Sequence, residues 1–375
     1  MDEAASIDIG WRSALLMAVC MPVLLSALIL LGQKTEAKAA RYLSLFLMAA
    51  VIVVIPQIIG FAGFYSVYPG LTFAPFSVEM FLGPLLLLHV YHLMYQAPPK
   101  HLKWLLIPGV VQVVYYLWAF TLLGDYKNKW AYNDAFHEPY VMPVEVVIGV
   151  GLFVYCWAKT YLLSRDYEKY LENNQSVASE FKPVWVYQLL IASLVLLMFF
   201  IAVQVVPVFI TDMSYVEEYP LVVLMMAILA WVGIDAIRKL QYRFPKIESA
   251  GHAAEAANAW QQKDWIDEAA ELERQMAIEQ WYLEPRLSLR QLAQHLGSNE
   301  SYVSRTINQG IGLSFNQYIN QWRIKHAKTQ LEQPHQSVLN LALESGFNSK
   351  ATFNRVFKKQ VGLTPSQYRN KFNNH

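Results

Sequence analysis

The sequence predicts an all-α protein: a seven-helix transmembrane bundle, followed by a domain of two helix-turn-helix units joined by a linker helix. Three observations lead there. Hydrophobic residues make up 55% of the 375-residue chain and charged residues only 16%, and the apolar excess is concentrated in residues 1–246. Charge is partitioned along the chain, with 16 basic against 17 acidic residues in 1–246, 2 against 9 in 247–284, and 12 against 3 in 285–375. The basic tail contains an internal duplication with a period of about 49–50 residues. These shifts predict a transmembrane part over 1–240, an acidic linker over 241–270 and a basic domain over 271–375. A basic domain suits a polyanionic partner.

A helix needs about 20 apolar residues to cross a bilayer. Seven runs qualify, at 13–32, 42–64, 74–96, 104–124, 141–163, 184–210 and 220–237. The first is too long for a cleavable leader, and Asp2, Glu3 and Asp8 stand where a basic leader is expected. Basic residues in short loops mark the cytoplasmic side. They fall at Lys34, Lys38 and Arg41, at Lys100 and Lys103, at Lys159, Arg165, Lys169 and Lys182, and at Arg238, Lys239, Arg243 and Lys246. The other face is rich in acid, with Asp125, Asp134, Glu138, Asp212, Glu217 and Glu218. The expected topology is N-terminus outside and C-terminus in the cytoplasm.

Polar residues inside such spans are expensive and mark pathways or pockets. Glu79 and Glu145 lie towards outer ends of spans, His89 and His92 are one turn apart, and Gln57, Gln112, Gln188 and Gln204 are scattered. One reading makes Glu79, His89, His92, Glu145 and Gln204 a signal-sensing set in the outer half of the bundle. The other makes such groups interhelical hydrogen bonds that fix packing. His89 and His92 have no third ligand at recognisable spacing, so no metal is expected. Cys20 and Cys156 stand in apolar runs as small buried residues. A retinal-type Schiff base needs a mid-membrane lysine, which the last span, Pro220–Ile237, does not have. No hydrolase or transferase constellation is visible, so neither an enzyme nor a cofactor is expected.

After a loose stretch at 245–264, Trp265, Ala269, Leu272, Met276 and Trp281 follow helical spacing. A dimerising coil would need more heptads than fit, so 271–283 is expected to be the first helix of the basic domain. The duplication follows. Leu292, Ala293 and Gly297 match Leu341, Ala342 and Gly346, and Arg305, Ile307, Gly312, Leu313, Gln317 and Tyr318 match Arg355, Phe357, Gly362, Leu363, Gln367 and Tyr368. Each copy has a short helix with Leu-Ala facing a core, then a glycine for a left-handed turn. A capping Ser or Asn comes next (Ser298 or Asn299, Asn348 or Ser349). A second helix follows, with core positions Val303 and Ile307, or Phe353 and Phe357. Phe315, Tyr318, Ile319, Trp322 and Leu331 predict one helix joining the copies, ended by Pro334.

The stretches YLEPRLSLRQLAQHLG, SFNQYINQWRIKHAKTQL and GFNSKATFNRVFKKQVGLTPSQYR resemble the signature of AraC/XylS-type transcription regulators over roughly 272–372. In layout, the first 240 residues resemble the membrane-spanning variants of that family. The resemblance implies two recognition helices in successive major grooves of double-stranded DNA. Residue by residue, it carries base contacts onto Ser301, Ser304 and Arg305 and onto Lys350, Asn354 and Arg355. Arg suits guanine and Asn suits adenine. Arg323, Lys325, Lys358 and Lys359 are expected on phosphate, where they position the domain and read no sequence. Internal pairing of Arg305 or Arg355 with Glu300, Glu332 or Glu344 is the competing reading.

The expected whole is a one-component regulator in the bacterial cytoplasmic membrane, with a small-molecule or physical signal at the bundle. Its expected partners are DNA, the bilayer, RNA polymerase and a second copy of the chain. Two alternatives stay open at this point. One is a transporter or membrane enzyme with a regulatory tail. The other is release of the tail by proteolysis in 245–264.

Overall fold

The computed structural model describes residues 7–97, 99–209, 215–247, 264–331 and 337–373. Among them every regular element is helical, and the only β-type pairings are two isolated bridges, Tyr95 with Ile247 and Gln175 with Ser288. The chain divides into two compact units. One is Met1–Ser164 with Pro183–Glu248; the other is Arg165–Lys182 with Ser249–His375.

The first unit is built on α1 (Trp11–Leu31), α2 (Ala37–Phe61), a one-turn α3 (Phe64–Val67), α4 (Leu82–Met94), α5 (Ile107–Leu122), a short α6 (Tyr126–Tyr132), α7 (Met142–Asn174), α8 (Val184–Phe209) and α9 (Tyr215–Lys239). Small residues let these helices approach closely. Ser44 Oγ donates to the Ala27 carbonyl at 2.7 Å and Ser13 Oγ to the Ile58 carbonyl at 2.9 Å, which ties α2 to α1. A Cβ on Gly233 of α9 would stand 2.7 Å from Ser26 Cβ of α1. The outward faces stay apolar, with Val111, Leu122, Val147, Ile191 and Trp231 exposed.

Five helical stretches, not the expected seven, are long and apolar enough to cross a membrane among the described residues: Trp11–Leu31, Ala37–Phe61, Lys100–Leu122, Tyr126–Asn174 and Tyr219–Lys239. The expected third and sixth spans appear as the shorter apolar helices Glu79–Met94 and Val184–Val195. The third is shortened because residues 74–78 are not helical and its helical part starts only at Glu79. The sixth is apolar over its described half, and α8 itself continues to Phe209.

One end of the bundle is closed by a polar cluster. Glu36, in the α1–α2 loop, pairs with Lys246 at 2.6 Å and accepts from the Phe244 amide at 3.2 Å. Lys246 Nζ also donates to the His92 carbonyl at 3.0 Å, and the Ile247 amide donates to the Met94 carbonyl at 2.8 Å. The end of α4 and the chain leaving α9 therefore sit at the same end as the first loop.

The expected loop 164–183 is helical as far as Asn174, because α7 continues through it. Tyr167 and Leu171, four apart on one face, are both fully buried. Lys182 pairs with Glu168 at 3.7 Å and Glu172 at 3.5 Å on the opposite face.

Replacing Gly233 by Val should destabilise the bundle by about 1–3 kcal/mol, the usual cost of overpacking a tight contact. The check is the thermal midpoint of the detergent-solubilised chain. An unchanged midpoint would show that α1 and α9 do not meet at Ser26.

Candidate nucleic-acid interface

The second unit begins its C-terminal part with α10 (Ile266–Glu279), which starts earlier than the sequence suggested because Ala269 joins Leu272 and Met276 on its buried face. The expected linker residues 248–263 lie outside the described residues. After α10 come α11 (Leu289–His295), α12 (Glu300–Arg305), α13 (Phe315–Leu331), α14 (Val338–Glu344), α15 (Lys350–Val361) and α16 (Pro365–Asn373).

Each repeat copy folds into its own helix-turn-helix. Ser288 and Gln291 form a reciprocal capping box that starts α11. The chain turns at Gly297, φ 58°, and Asn299 caps α12 by accepting from the Tyr302 amide at 2.8 Å. In the second copy Ser337 caps α14, Gly346 makes the turn with φ 82°, and Ser349 caps α15. Of the alternative caps, Asn299 and Ser349 are the ones used. The first reading helix is α12 continued by a wider turn over Thr306–Ile311, while α15 is a regular helix of 12 residues.

One helix supplies both cores. Phe315, Tyr318 and Ile319 of α13 pack with Leu272, Met276, Leu292, Val303 and Ile307. Ile324, Ala327 and Leu331 of the same helix pack with Leu341, Phe347, Phe353, Phe357 and Tyr368. Trp322 sits partly buried on the first core and stacks on Tyr282 at 5.5 Å.

Ser301, Lys350 and Arg355 are exposed, and Ser304, Arg305 and Asn354 are half-buried. Ser304 Oγ accepts from Asn308 Nδ2 at 3.1 Å. Asn354 Oδ1 is buried with no hydrogen-bond partner among the described residues. Glu300 is taken by Arg290 at 2.7 Å, and neither Arg305 nor Arg355 makes an ion pair among the described residues. Lys325, Lys358 and Lys359 are exposed.

Arg323 is the exception among the expected phosphate contacts. It is fully buried. Its Nε donates to the Tyr282 carbonyl at 2.7 Å, and its Nη2 donates to the Glu284 carbonyl at 2.8 Å and to Ser176 Oγ at 3.3 Å. The guanidinium lies 5.6 Å from the Phe347 ring. Burial pushes its pKa down to about 10, opposed by the nearby Glu180 carboxylate, so it stays charged at neutral pH. Its sequence position beside Lys325 suggested a surface cation. Helical geometry, with Ile319, Ile324 and Ala327 buried around it, turns it inward instead.

Residues 175–182, expected as part of a loop between spans, also belong to this unit. The Ser176 amide donates to the Leu287 carbonyl at 3.1 Å. Asn316 Nδ2 donates to the Gln175 and Ser176 carbonyls at 3.1 and 2.7 Å. Glu180 accepts from Arg286 at 3.3 Å and from Asn348 at 3.0 Å. The only sequence signal was the Leu163, Tyr167, Leu171 stripe.

The polar residues of the first unit fall into two groups. Glu145 accepts from Tyr116 at 3.2 Å, and Gln112 Oε1 accepts from the Met80 amide at 3.4 Å, next to Glu79. His89 and His92 are elsewhere. His89 is fully buried, its Nδ1–H donating to the Ala39 carbonyl at 2.7 Å, and His92 Nδ1–H donates to its own helix at Leu88. The side chain of Gln204 lies outside the described residues.

Residues 292–371 match the family model described as a helix-turn-helix domain. Uncharacterized HTH-type transcriptional regulators of Staphylococcus aureus, strains COL and N315 among them, are 39% identical over 83 residues, 22% of this chain and 11% of theirs. The melibiose operon regulatory protein of Escherichia coli is 35% identical over 83 residues, 28% of its length. The matched stretch is thus a small part of each relative. No solved structure matches the chain at a significant level. The C-terminal domain is an AraC-type helix-turn-helix domain, a DNA-binding module of transcription regulators.

Replacing Arg323 by Ala leaves two buried carbonyls unsatisfied and opens a cavity. It should destabilise the domain by about 2–4 kcal/mol. Lys325→Ala, on the surface, should stay within about 0.5 kcal/mol of the parent. Urea unfolding of the two variants checks this; equal midpoints would contradict the buried role of Arg323.

Proposed function

We propose that the chain is a membrane-bound, sequence-specific transcription regulator, in which the bundle senses a signal and the C-terminal domain reads DNA. The observation that carries the reading is the single helix α13. It seeds two helix-turn-helix cores and so holds two reading helices in one rigid body. A rigid pair suits two successive major grooves, with half-sites about one helical turn, or 34 Å, apart.

In this reading Arg305 and Arg355 contact guanine edges, since neither makes an ion pair among the described residues. Asn354, half-buried on α15, contacts adenine in this reading. Lys350 reaches a base edge from the exposed start of α15. Ser301 and Ser304 give the first helix sparse base contacts. Lys325, Lys358 and Lys359 serve phosphate. Arg323 does not; it is replaced in the DNA-binding set by its structural role.

The membrane reading rests on the apolar outer faces of the bundle, which water does not tolerate over such an area. It also rests on the loop charges, with the basic segments at the end closed by Glu36 and Lys246. The shorter apolar stretch Glu79–Met94 has polar partners at both ends. Its start, at Glu79, lies by Gln112 and Glu145, and its end lies by Lys246. The reading keeps seven crossings, with tilt and local thinning accommodating the two short ones. This reading centres the sensing site on Glu79 and Glu145, near Gln112 and Tyr116; His89 and His92 lie elsewhere, each with Nδ1 on a backbone carbonyl, and Nε2 of His89 is buried without a partner among the described residues. DNA, lipid, RNA polymerase and a second copy of the chain remain the partners of this reading.

Two measurements test it. Arg355→Ala should weaken binding to a duplex selected by the parent chain from a random library by about 10- to 100-fold, equivalent to 1–3 kcal/mol. Binding to random DNA at matched salt should barely change; equal loss on both removes the base-reading role. Lys100→Cys should react with a membrane-impermeant thiol reagent only from the cytoplasmic side. Labelling from outside would reduce the crossings to the five long helices.

A further inference from the structure

Residues 165–182 are expected from sequence to be a loop between spans, yet they pack as part of the C-terminal unit. They form a strap that begins as the end of α7 and closes with the segment Gln175–Lys182. The strap touches both helix-turn-helix units. At the first it forms an antiparallel bridge, Gln175 with Ser288, immediately before α11. At the second, Glu180 holds Asn348, the residue before the cap of reading helix α15, while its other oxygen pairs with Arg286 of the first unit. One carboxylate thus ties both units to one segment.

The strap also faces the side chains expected to meet DNA. A cleft of about 430 Å³ has Glu172, Val177 and Lys182 of the strap on one side, and Thr352, Arg355 and Lys359 of α15 on the other. Residues 165–182 carry Asp166, Glu168, Glu172 and Glu180 against Arg165, Lys169 and Lys182. Lys182 is engaged by Glu168 and Glu172. A duplex approaching Arg355 and Lys359 would bring phosphates towards a segment with a net negative charge.

We propose that the 165–182 strap is an autoinhibitory contact, which holds the two helix-turn-helix units through Glu180 and obstructs the Arg355–Lys359 side of α15 until it is released. The inference rests on the DNA-binding reading above. It also names the output element of the bundle. The strap is the direct continuation of α7, whose first turns carry Glu145, so displacement along α7 reaches Glu180 without passing through 248–263. A signal acts here only by binding the strap-released state more tightly than the docked one.

The test uses the full chain in lipid nanodiscs and the duplex selected by the parent chain. Glu180→Arg places a cation against Arg286 and should raise affinity about tenfold, within the usual range of coupling between sites. The pair Gln175→Cys with Ser288→Cys should do the opposite. Residues facing each other in an antiparallel bridge have Cα atoms about 4.5–5.5 Å apart, within disulfide range, and the native Cys20 and Cys156 are buried. Oxidation should lower affinity about tenfold and reduction should restore it in the same sample, which cancels any effect of losing the Ser288 cap. If Glu180→Arg binds no better than the parent while its melting curve is unchanged, or if the oxidised lock binds as well as the reduced form, the strap is structural and the proposal fails. If the parent selects no duplex at all, the DNA-binding reading fails instead.

Discussion

The C-terminal unit is organised around the buried guanidinium of Arg323. Taking that charge out of water costs several kcal/mol. The cost is offset only if backbone carbonyls are delivered to it in fixed positions, and the carbonyls of Tyr282 and Glu284 do this. The turn 281–284 is therefore held against α13, and α10 with it. Gly346 closes the other side. A Cβ there would stand 2.7 Å from the Tyr282 carbonyl and 3.0 Å from Arg323 Nε, and its φ is 82°. The turn of the second helix-turn-helix unit thus packs on the loop that opens the first. A single side chain sets the register of the two repeat copies.

That arrangement explains how a duplication can act as one body. Each copy has its own core, and neither core is large. The shared helix α13 makes their separation a property of a rigid element of 17 residues, about 25 Å long. Relative rotation of the two reading helices would require α13 to bend or Arg323 to lose its carbonyls. The strap uses the same anchor, since Ser176 is a third acceptor for Arg323. Docking of the strap and the integrity of the domain are therefore linked, and a released strap leaves Arg323 with its two carbonyls.

The bundle obeys different physics. In the membrane reading proposed above, its helices gain little from burying apolar surface against one another, because lipid is as apolar as they are. Close approach at Gly233 and Ser26, and hydroxyl-to-carbonyl bonds at Ser13 and Ser44, supply the specificity. The Glu36–Lys246 pair closes one end, where Glu36 is nearly buried and accepts from both a lysine and a backbone amide. Its other end carries Glu79 and Glu145 around Gln112. Those two carboxylates come from different elements, and only the packing of α5 against α7 and the turn before α4 makes them neighbours.

Much of this was legible in the chain itself. Hydropathy marked where helices would lie, and local chemistry marked the caps, glycine turns and shared helix of the repeat, because those signals act within a few residues. Spacing alone narrowed each cap to two candidates and predicted one helix joining the copies; the structure selects Asn299 and Ser349 and packs α13 into both cores. What spacing could not determine was direction and partnership. Arg323 reads as a surface cation next to Lys325, and only the inward face of α13 makes it a core residue. His89, His92, Glu79 and Glu145 read as one polar set, and only helix packing separates them. Residues 165–182 read as a loop, because a single stripe through Tyr167 and Leu171 does not say what it is buried against. Sequence determines which faces are apolar and where backbone can turn, since both are local free energies. Tertiary structure decides which buried charge meets which carbonyl, and which segment covers which helix, since those depend on contacts between residues 39 to 168 positions apart.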